Sequence, residues 1–391
     1  MRPALVLACL AMMLSACSEP LEFADWTMTV PEGTRIIEYA AVPLEQRTER
    51  VDLVQEMSID DQGADALFKS ATDLAVDESG VLYVLDARAR QIKVISPDGV
   101  LLDTFGKGGQ GPGELMRPVS VALVGDRVLV LDQARGKLIA WTTSGERDGE
   151  PTVRGANGVR RIRGGAQALM AIFDPRRGNL YGGVSPWSVA RMSPSDGSVS
   201  FVAQLEYTGL PAIGRTSSAG VPAFWPVELK IPYPDASVSR DGDIYVTSGS
   251  QYQLFAFGAD GAARWALRVA SRAPQLTDSM VNAEAERIRE YFPDLKVSEI
   301  PRPDALAAVT SVAVDGHGHV FVFPHVDSAG QPNLNAVPVD VYSAEGERLF
   351  AGLIAVEGWL AAHDDDVFRI ESDDETGGRR VVRYRLVEPF D

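Results

Sequence analysis

The sequence predicts an all-β fold: a six-bladed β-propeller with four-stranded antiparallel blades, one inserted helix, and an N-terminal strand that closes the last blade. Three observations predict it. A short β-branched or aromatic run recurs six times along the chain, and a tight-turn signal precedes each copy. The sixth copy is followed by only one further strand before the chain stops at Asp391, which leaves an outer position to be filled from elsewhere.

The six runs are Val81–Asp86, Arg127–Asp132, Asn179–Val184, Asp243–Ser248, His319–Pro324 and Asp366–Glu371. The turn signals before them are Ser79-Gly80, Gly125-Asp126, Arg177-Gly178, Asp241-Gly242, Gly316-His317-Gly318 and Asp364-Asp365. Another short strand precedes most of these turns, as at Asp73–Asp77, Val119–Leu123 and Thr310–Asp315. A third strand follows each run: Gln91–Ser96, Lys137–Thr142, Ser188–Ser193, Gln253–Gly258, Pro338–Ser343 and Val381–Leu386. Hairpin signals such as Asp98-Gly99 and Asp260-Gly261 then lead into a fourth strand, because glycine accommodates the positive φ of such turns. The outer strand missing from the sixth module is expected at Val51–Ser58, where it would also cover a sheet edge.

The segment Asp73–Pro118 resembles the NHL-type six-bladed propellers. It carries Ala75-Val76-Asp77 and Gly80 ahead of the second strand, Ser96-Pro97-Asp98-Gly99 at the hairpin, and the glycine-rich connector Phe105–Pro118. The resemblance covers about 340 residues. It implies the fold and little about function, since propellers host enzymes, scaffolds and binding modules.

The first residues set the expected compartment. A cation at Arg2, an apolar run Ala4–Leu14 and small residues at Ser15 and Ala16 form an export-signal pattern over residues 1–16, too short to span a bilayer as a helix. Leu14-Ser15-Ala16-Cys17 looks like the lipobox of bacterial lipoproteins, in which the cysteine thiolate accepts a diacylglyceryl group. Lipidation is therefore expected at Cys17, with residues 17–34 as tether and 35–391 as the propeller. With Ser18 rather than Asp after the cysteine, the family pattern implies the outer membrane. The only other cysteine, Cys9, leaves with the signal, so no disulfide is expected.

Charge and motif exclude several classes. The 391 residues carry 37 Lys and Arg against 54 Asp and Glu, a net charge of −17, so no nucleic-acid partner is expected. The arginine pairs at 160–161, 176–177 and 379–380 read as solvated surface. Gly106–Gly111 matches G-x-G-x-x-G, but Pro112-Gly113 and a strand follow where a dinucleotide site needs a helix. The four histidines, His317, His319, His325 and His363, have no zinc spacing, and the His363–Asp366 run reads as a blade turn rather than a calcium loop. No catalytic residue, metal ligand or cofactor site is assigned. A calcium-dependent lactonase would need Asn and acids on inner strands, and the five asparagines (Asn157, Asn179, Asn282, Asn333, Asn335) fall elsewhere.

Three insertions interrupt the repeat, at 206–234, 268–305 and 325–337. The second holds a helix, with Val281, Ala285, Ile288 and Phe292 on one face, Thr277 or Asp278 as cap and Pro293 as stop. In propeller connectivity all three project from one face, and long loops on a rigid scaffold carry function. Arg88, Arg90, Trp187, Trp225, Tyr233, Tyr252 and His325 are the candidate ligand contacts there. The sequence thus points to a lipid-anchored extracytoplasmic module that binds a protein, peptide or glycan. The alternative is a metal-dependent hydrolase or lyase working in the central channel.

Overall fold

In the computed structural model the described residues are 22–60, 67–153, 155–165, 168–173, 187–205, 212–216, 222–226, 229, 232–271, 274–290, 292–303, 306–325, 336–372 and 378–387. Antiparallel strands dominate them, and most strands belong to four-stranded meanders in sequence order. The first meander runs Ala71–Val76, Leu82–Asp86, Gln91–Ile95, Leu101–Phe105. The second runs Pro118–Val124, Arg127–Asp132, Lys137–Thr142, Arg147–Gly149, and the third Val159–Gly164, Leu169–Phe173, Trp187–Met192, Val199–Leu205. A fourth, Asp235–Val238 through Ala263–Ala270, gains a fifth strand from the chain's start, β1 (Arg35–Ala40), which pairs in parallel with Ala263–Ala270.

Apart from two short two-stranded ribbons, the remaining strands form one eight-stranded sheet joined through β2 (Arg50–Asp60). Its first two residues pair in parallel with Leu353 and Ile354 at the edge of the meander Val309–Ile354. The rest of β2 runs antiparallel to Arg379–Val387, from Asp52 opposite Val387 to Asp60 opposite Arg380. Ala361–His363 and Asp366–Ser372 complete that half. The expected pairing of Val51–Ser58 with Val381–Leu386 is therefore present, with one bulge at Glu56.

Local chemistry explains the repeat. Asp86 and Asp132, both fully buried, end their strands and gather the incoming connector. Asp86 accepts from the backbone N–H groups of Lys69, Ser70 and Ala89, and Asp132 from those of Met116, Arg117 and Arg135. Each carboxylate so satisfies amides that would otherwise be orphaned inside the fold. Between sheets the packing is apolar: Tyr83, Leu85, Ile92 and Val94 meet Val121, Val128, Val130 and Ile139 of the next meander. Burial, then the neighbouring Asp77, pushes the Tyr83 phenol up to about 12.

Two readings of the sequence need correction. The second strand of the third meander is Leu169–Phe173, not Asn179–Val184, which lies outside the described residues. Residues 22–34 are also not all free tether. Trp26, Met28 and Val30 pack on the fourth meander, the Trp26 ring tilted against that of Phe255 with centroids 5.5 Å apart, and Gln253 bonds Thr27 and the Asp25 carbonyl.

The inserted helix, α1 (Asp278–Arg289), forms as its periodicity predicts. The Thr277 hydroxyl caps it by accepting from the Met280 N–H at 3.3 Å. Val281, Ala285 and Ile288 bury one stripe against Leu229, Leu295 and Ile300. The glycine-rich connector also behaves as expected: Lys107–Gly108 pairs with Glu114–Leu115, and no helix opens after it.

Candidate functional site: a central cavity

The first strand of each meander contributes to a single cavity of about 1090 Å³. Its wall includes Leu74–Ser79, Val121–Leu123, Arg161, Arg163–Gly165, Asp235–Val238, Val312, Val314–Gly316 and Leu360–Asp364. These inner strands are stitched sideways by side chains. Asp73 accepts from the Ser120 hydroxyl and from the Val121 N–H at 3.1 Å, and the Ser120 oxygen accepts from the Ile162 N–H at 3.0 Å. On the other side Asp235 accepts from the Val312 N–H at 3.1 Å.

Strands set around one axis with their first members innermost are a radial arrangement. The chain folds as a β-propeller. No family model and no curated protein matches the sequence. Among solved structures, a member of the DUF4221 family from Bacteroides vulgatus shares the fold at 11% identity and a TM-score of 0.51, over 86% of this chain and 99% of that one. Virginiamycin B lyase from Staphylococcus aureus matches at 12% identity and 0.41, covering 86% of this chain and 100% of its own. A gluconolactonase from Xanthomonas campestris matches at 15% and 0.40, covering 87% and 99%. The activities of those two enzymes belong to them.

The close approach of neighbouring blades at the turn end of the propeller is possible because glycine stands there. A Cβ on Gly164 would fall 1.6 Å from the Leu123 carbonyl oxygen, and one on Gly316 would fall 2.2 Å from the Asp364 nitrogen. The cavity wall continues out to these first-to-second-strand turns, at 76–79, 125–126, 164–165, 238–240, 314–316 and 362–364. Strand alternation puts the described strand ends that flank the insertions 206–234, 268–305 and 325–337 at the opposite end, and none of the insertions' described residues lines the cavity.

Charge inside the propeller is arranged in two levels. At the turn end, Asp77, Asp315 and Glu78 face the mouth. Asp77 accepts from the Ser79 and Val81 N–H groups, Asp315 from those of His317 and His319, and exposed Glu78 pairs with Arg240. Deeper lie four arginines. Arg163 makes a two-pronged pair with Asp73 at 3.0 and 3.1 Å. Arg369 donates to the carbonyls of Glu357 and Gly358, both at 2.7 Å, and Arg379 to that of Ala71 at 3.0 Å. Arg161 lines the cavity and, among the described residues, makes no hydrogen bond or ion pair. Burial, then the nearby Arg163 guanidinium, pushes Arg161 down to about 10, so it stays cationic at neutral pH.

These arginines overturn part of the sequence reading. The pairs at 160–161 and 379–380 read as solvated surface, yet Arg161 and Arg379 face the interior cavity. Arg160 lies over the Tyr233 ring, 5.0 Å from its centroid. The pair at 176–177 lies outside the described residues.

The seven candidate contacts separate. Arg88 and Arg90 are exposed, Arg90 in a left-handed turn at φ 59°. Tyr233 is half-buried under Arg160. The His325 imidazole Nδ1 lies 2.9 Å from the Ala307 carbonyl oxygen. Trp225 sits in the hairpin of Ala212–Thr216 with Pro222–Pro226, its side chain outside the described set. Trp187 and Tyr252, by contrast, are core residues and offer a ligand no surface. Trp187 is 1% exposed. The Tyr252 hydroxyl donates to Asp340 at 2.5 Å and lies 3.0 Å from that of Tyr342. Cys17 lies outside the described residues.

Among the described residues no group of three His, Cys, Asp or Glu side chains is placed to hold a metal ion, and no helix is long and apolar enough to cross a membrane.

Proposed function

We propose that the chain is a six-bladed propeller, anchored outside the cytoplasm through a lipidated Cys17, that binds a ligand and does not convert it. Five of the blades are the sequential meanders. The sixth pairs β2 with Ala361–Val387, so that it too has four strands, β1 being an addition to the edge of the fourth, and the two ends of the sequence share one sheet. The partner class read from the sequence, a protein, peptide or glycan, fits a rigid platform of this kind. With residues 25–30 already held on the fourth blade, the tether from Cys17 shortens to a handful of residues. At roughly 3.5 Å per residue, that blade would stand within about 30 Å of the lipid surface.

The observation that carries the binding reading is the deep layer of the cavity. Four guanidinium groups at Arg161, Arg163, Arg369 and Arg379 make it hostile to a divalent cation, which the hydrolase or lyase alternative would require there. Arginine is well suited to planar recognition of ligand oxygens and poorly suited to metal ligation.

The test is calcium uptake. Purified in detergent from the membrane fraction, the full chain is expected to bind no stoichiometric Ca²⁺ in calorimetry and to carry none by elemental analysis. One tightly held equivalent, lost in Asp235→Asn, would overturn the reading. Recovery of the wild-type chain in the soluble fraction would overturn the anchor.

A further inference from the structure

We propose that the cavity takes an oxyanion, a ligand presenting a carboxylate or phosphate group, and that Arg161 is the residue that pairs with its charge. The inference rests on the binding reading above and names the ligand chemistry.

The argument begins with a side chain that lacks a partner. Every other arginine in the deep layer is held: Arg163 by Asp73, Arg369 by two backbone carbonyls, Arg379 by the Ala71 carbonyl. Arg161 has neither a carboxylate nor a carbonyl within hydrogen-bond reach among the described residues, although it is desolvated by the blades around it. Arg161 is half-buried, and a guanidinium set in a cavity wall with no protein partner is placed to take one from a ligand. What accessible surface Arg161 keeps faces the cavity it lines.

The engagement of its charged neighbours sets the sign of the ligand. The charged groups that act most strongly on Arg161 are Arg163, Asp73, Arg160 and Asp235. Asp73 is neutralised by Arg163 and also accepts from Ser120 and Val121. Asp235 accepts from Val312. Both anions are thus engaged, which leaves the Arg161 guanidinium as the uncommitted charge beside them. The acids lining the mouth, among them Asp77 and Asp315, are occupied by turn N–H groups. A planar guanidinium matches the two oxygens of a carboxylate or phosphate, and the volume admits a ligand much larger than a lone anion. Trp359, which lines the same space, supplies an apolar wall, its indole N–H held by the Val314 carbonyl.

The experiment is calorimetry and thermal unfolding of the full chain at fixed ionic strength, with glutarate as the carboxylate probe and inorganic phosphate as the other. The wild type is expected to bind at least one of them with 1:1 stoichiometry, and the stronger of the two identifies the oxyanion class. Arg161→Gln should weaken that binding about tenfold or more, Arg161→Lys should retain part of it, and Arg161→Met should abolish it while raising the unfolding midpoint of the ligand-free chain. Three results would overturn the proposal. They are no binding of either probe by wild type, equal binding by wild type and Arg161→Gln, or a lowered midpoint in Arg161→Met. A chain that takes up calcium fails the binding reading whatever its anions do. A metal-free chain that ignores both probes keeps that reading and loses this one.

Discussion

Arg47→Ala is expected to cost about 3–5 kcal/mol of stability, the range for stripping one partner from a buried ion pair. Arg47 belongs to the turn between β1 and β2, yet its side chain is 2% exposed. Its guanidinium lies 2.7 Å from Asp340, and it donates to the carbonyls of Val42 at 3.1 Å and Val339 at 2.9 Å. Asp340 is itself 1% exposed and shares its other oxygen with the Tyr252 hydroxyl, which lies against that of Tyr342. Burial first, then the Asp340 charge, drives the Tyr252 phenol well above its usual range, so neither tyrosine can relieve a stranded carboxylate by giving up a proton. Removing Arg47 leaves that carboxylate buried without a counter-charge. Urea unfolding should show a lower midpoint at unchanged slope. The double variant Arg47→Met with Asp340→Asn should recover much of the loss, because the cost lies in the orphaned charge rather than in the missing attraction. An Arg47→Ala chain as stable as wild type would contradict the account of how the N-terminal segment is held to the fifth blade.

Gly164→Val should be comparably damaging for a steric reason. Gly164 ends the inner strand of the third blade where it meets the second, and an added Cβ would stand 1.6 Å from the Leu123 carbonyl oxygen, 2.6 Å from its carbon and 3.0 Å from its nitrogen. The obstacle is backbone, so no rotamer change relieves it. Overpacking against side chains costs about 1–3 kcal/mol, and a strand-against-strand clash belongs at or above the top of that range. Gly164 also borders the cavity, so the variant should lose ligand binding together with stability. Gly125, whose Cβ would meet nothing within 4 Å, sits in a turn at φ 58°. Gly125→Asn there should be nearly neutral in thermal unfolding, since asparagine tolerates the left-handed region.

How much of this was legible in the sequence depended on which physical signal each part emits. The meanders were readable because strand alternation and turn glycines are local. Gly80, Gly99, Gly145 and Gly261 all have φ between 76° and 86° at the turns their sequence marks. The third blade offers two competing turn signals, Gly164-Gly165 ahead of Leu169–Phe173 and Arg177-Gly178 ahead of Asn179, and the sequence alone does not rank them. The docked N-terminal residues carried a usable signal, the i, i+2, i+4 spacing of Trp26, Met28 and Val30, but it is short and lies next to a segment read as tether. The cavity arginines gave none. A strand reading Val159-Arg160-Arg161-Ile162-Arg163 looks like solvent-facing surface until the strand is known to be the innermost of its blade, and that is a property of the ring rather than of the segment. Tyr252 likewise stands one residue before a strand. Only the packing of Gln253–Phe257 against the fifth blade turns it from a loop aromatic into a core phenol.

The central claim is that the two ends of the sequence share one sheet in a fixed register. It is tested most directly by a cysteine pair across that seam, Val54→Cys with Arg385→Cys, which stand opposite each other in the strand pairing. Directly opposed antiparallel residues have Cα atoms about 4.5–5.5 Å apart, within the span of a disulfide. Oxidation of the folded chain should give an intramolecular crosslink in high yield for this pair, and none for Val54→Cys with Arg380→Cys, whose partner in the register is Asp60. No crosslink in the first pair, or equal crosslinking in both, would contradict the closure.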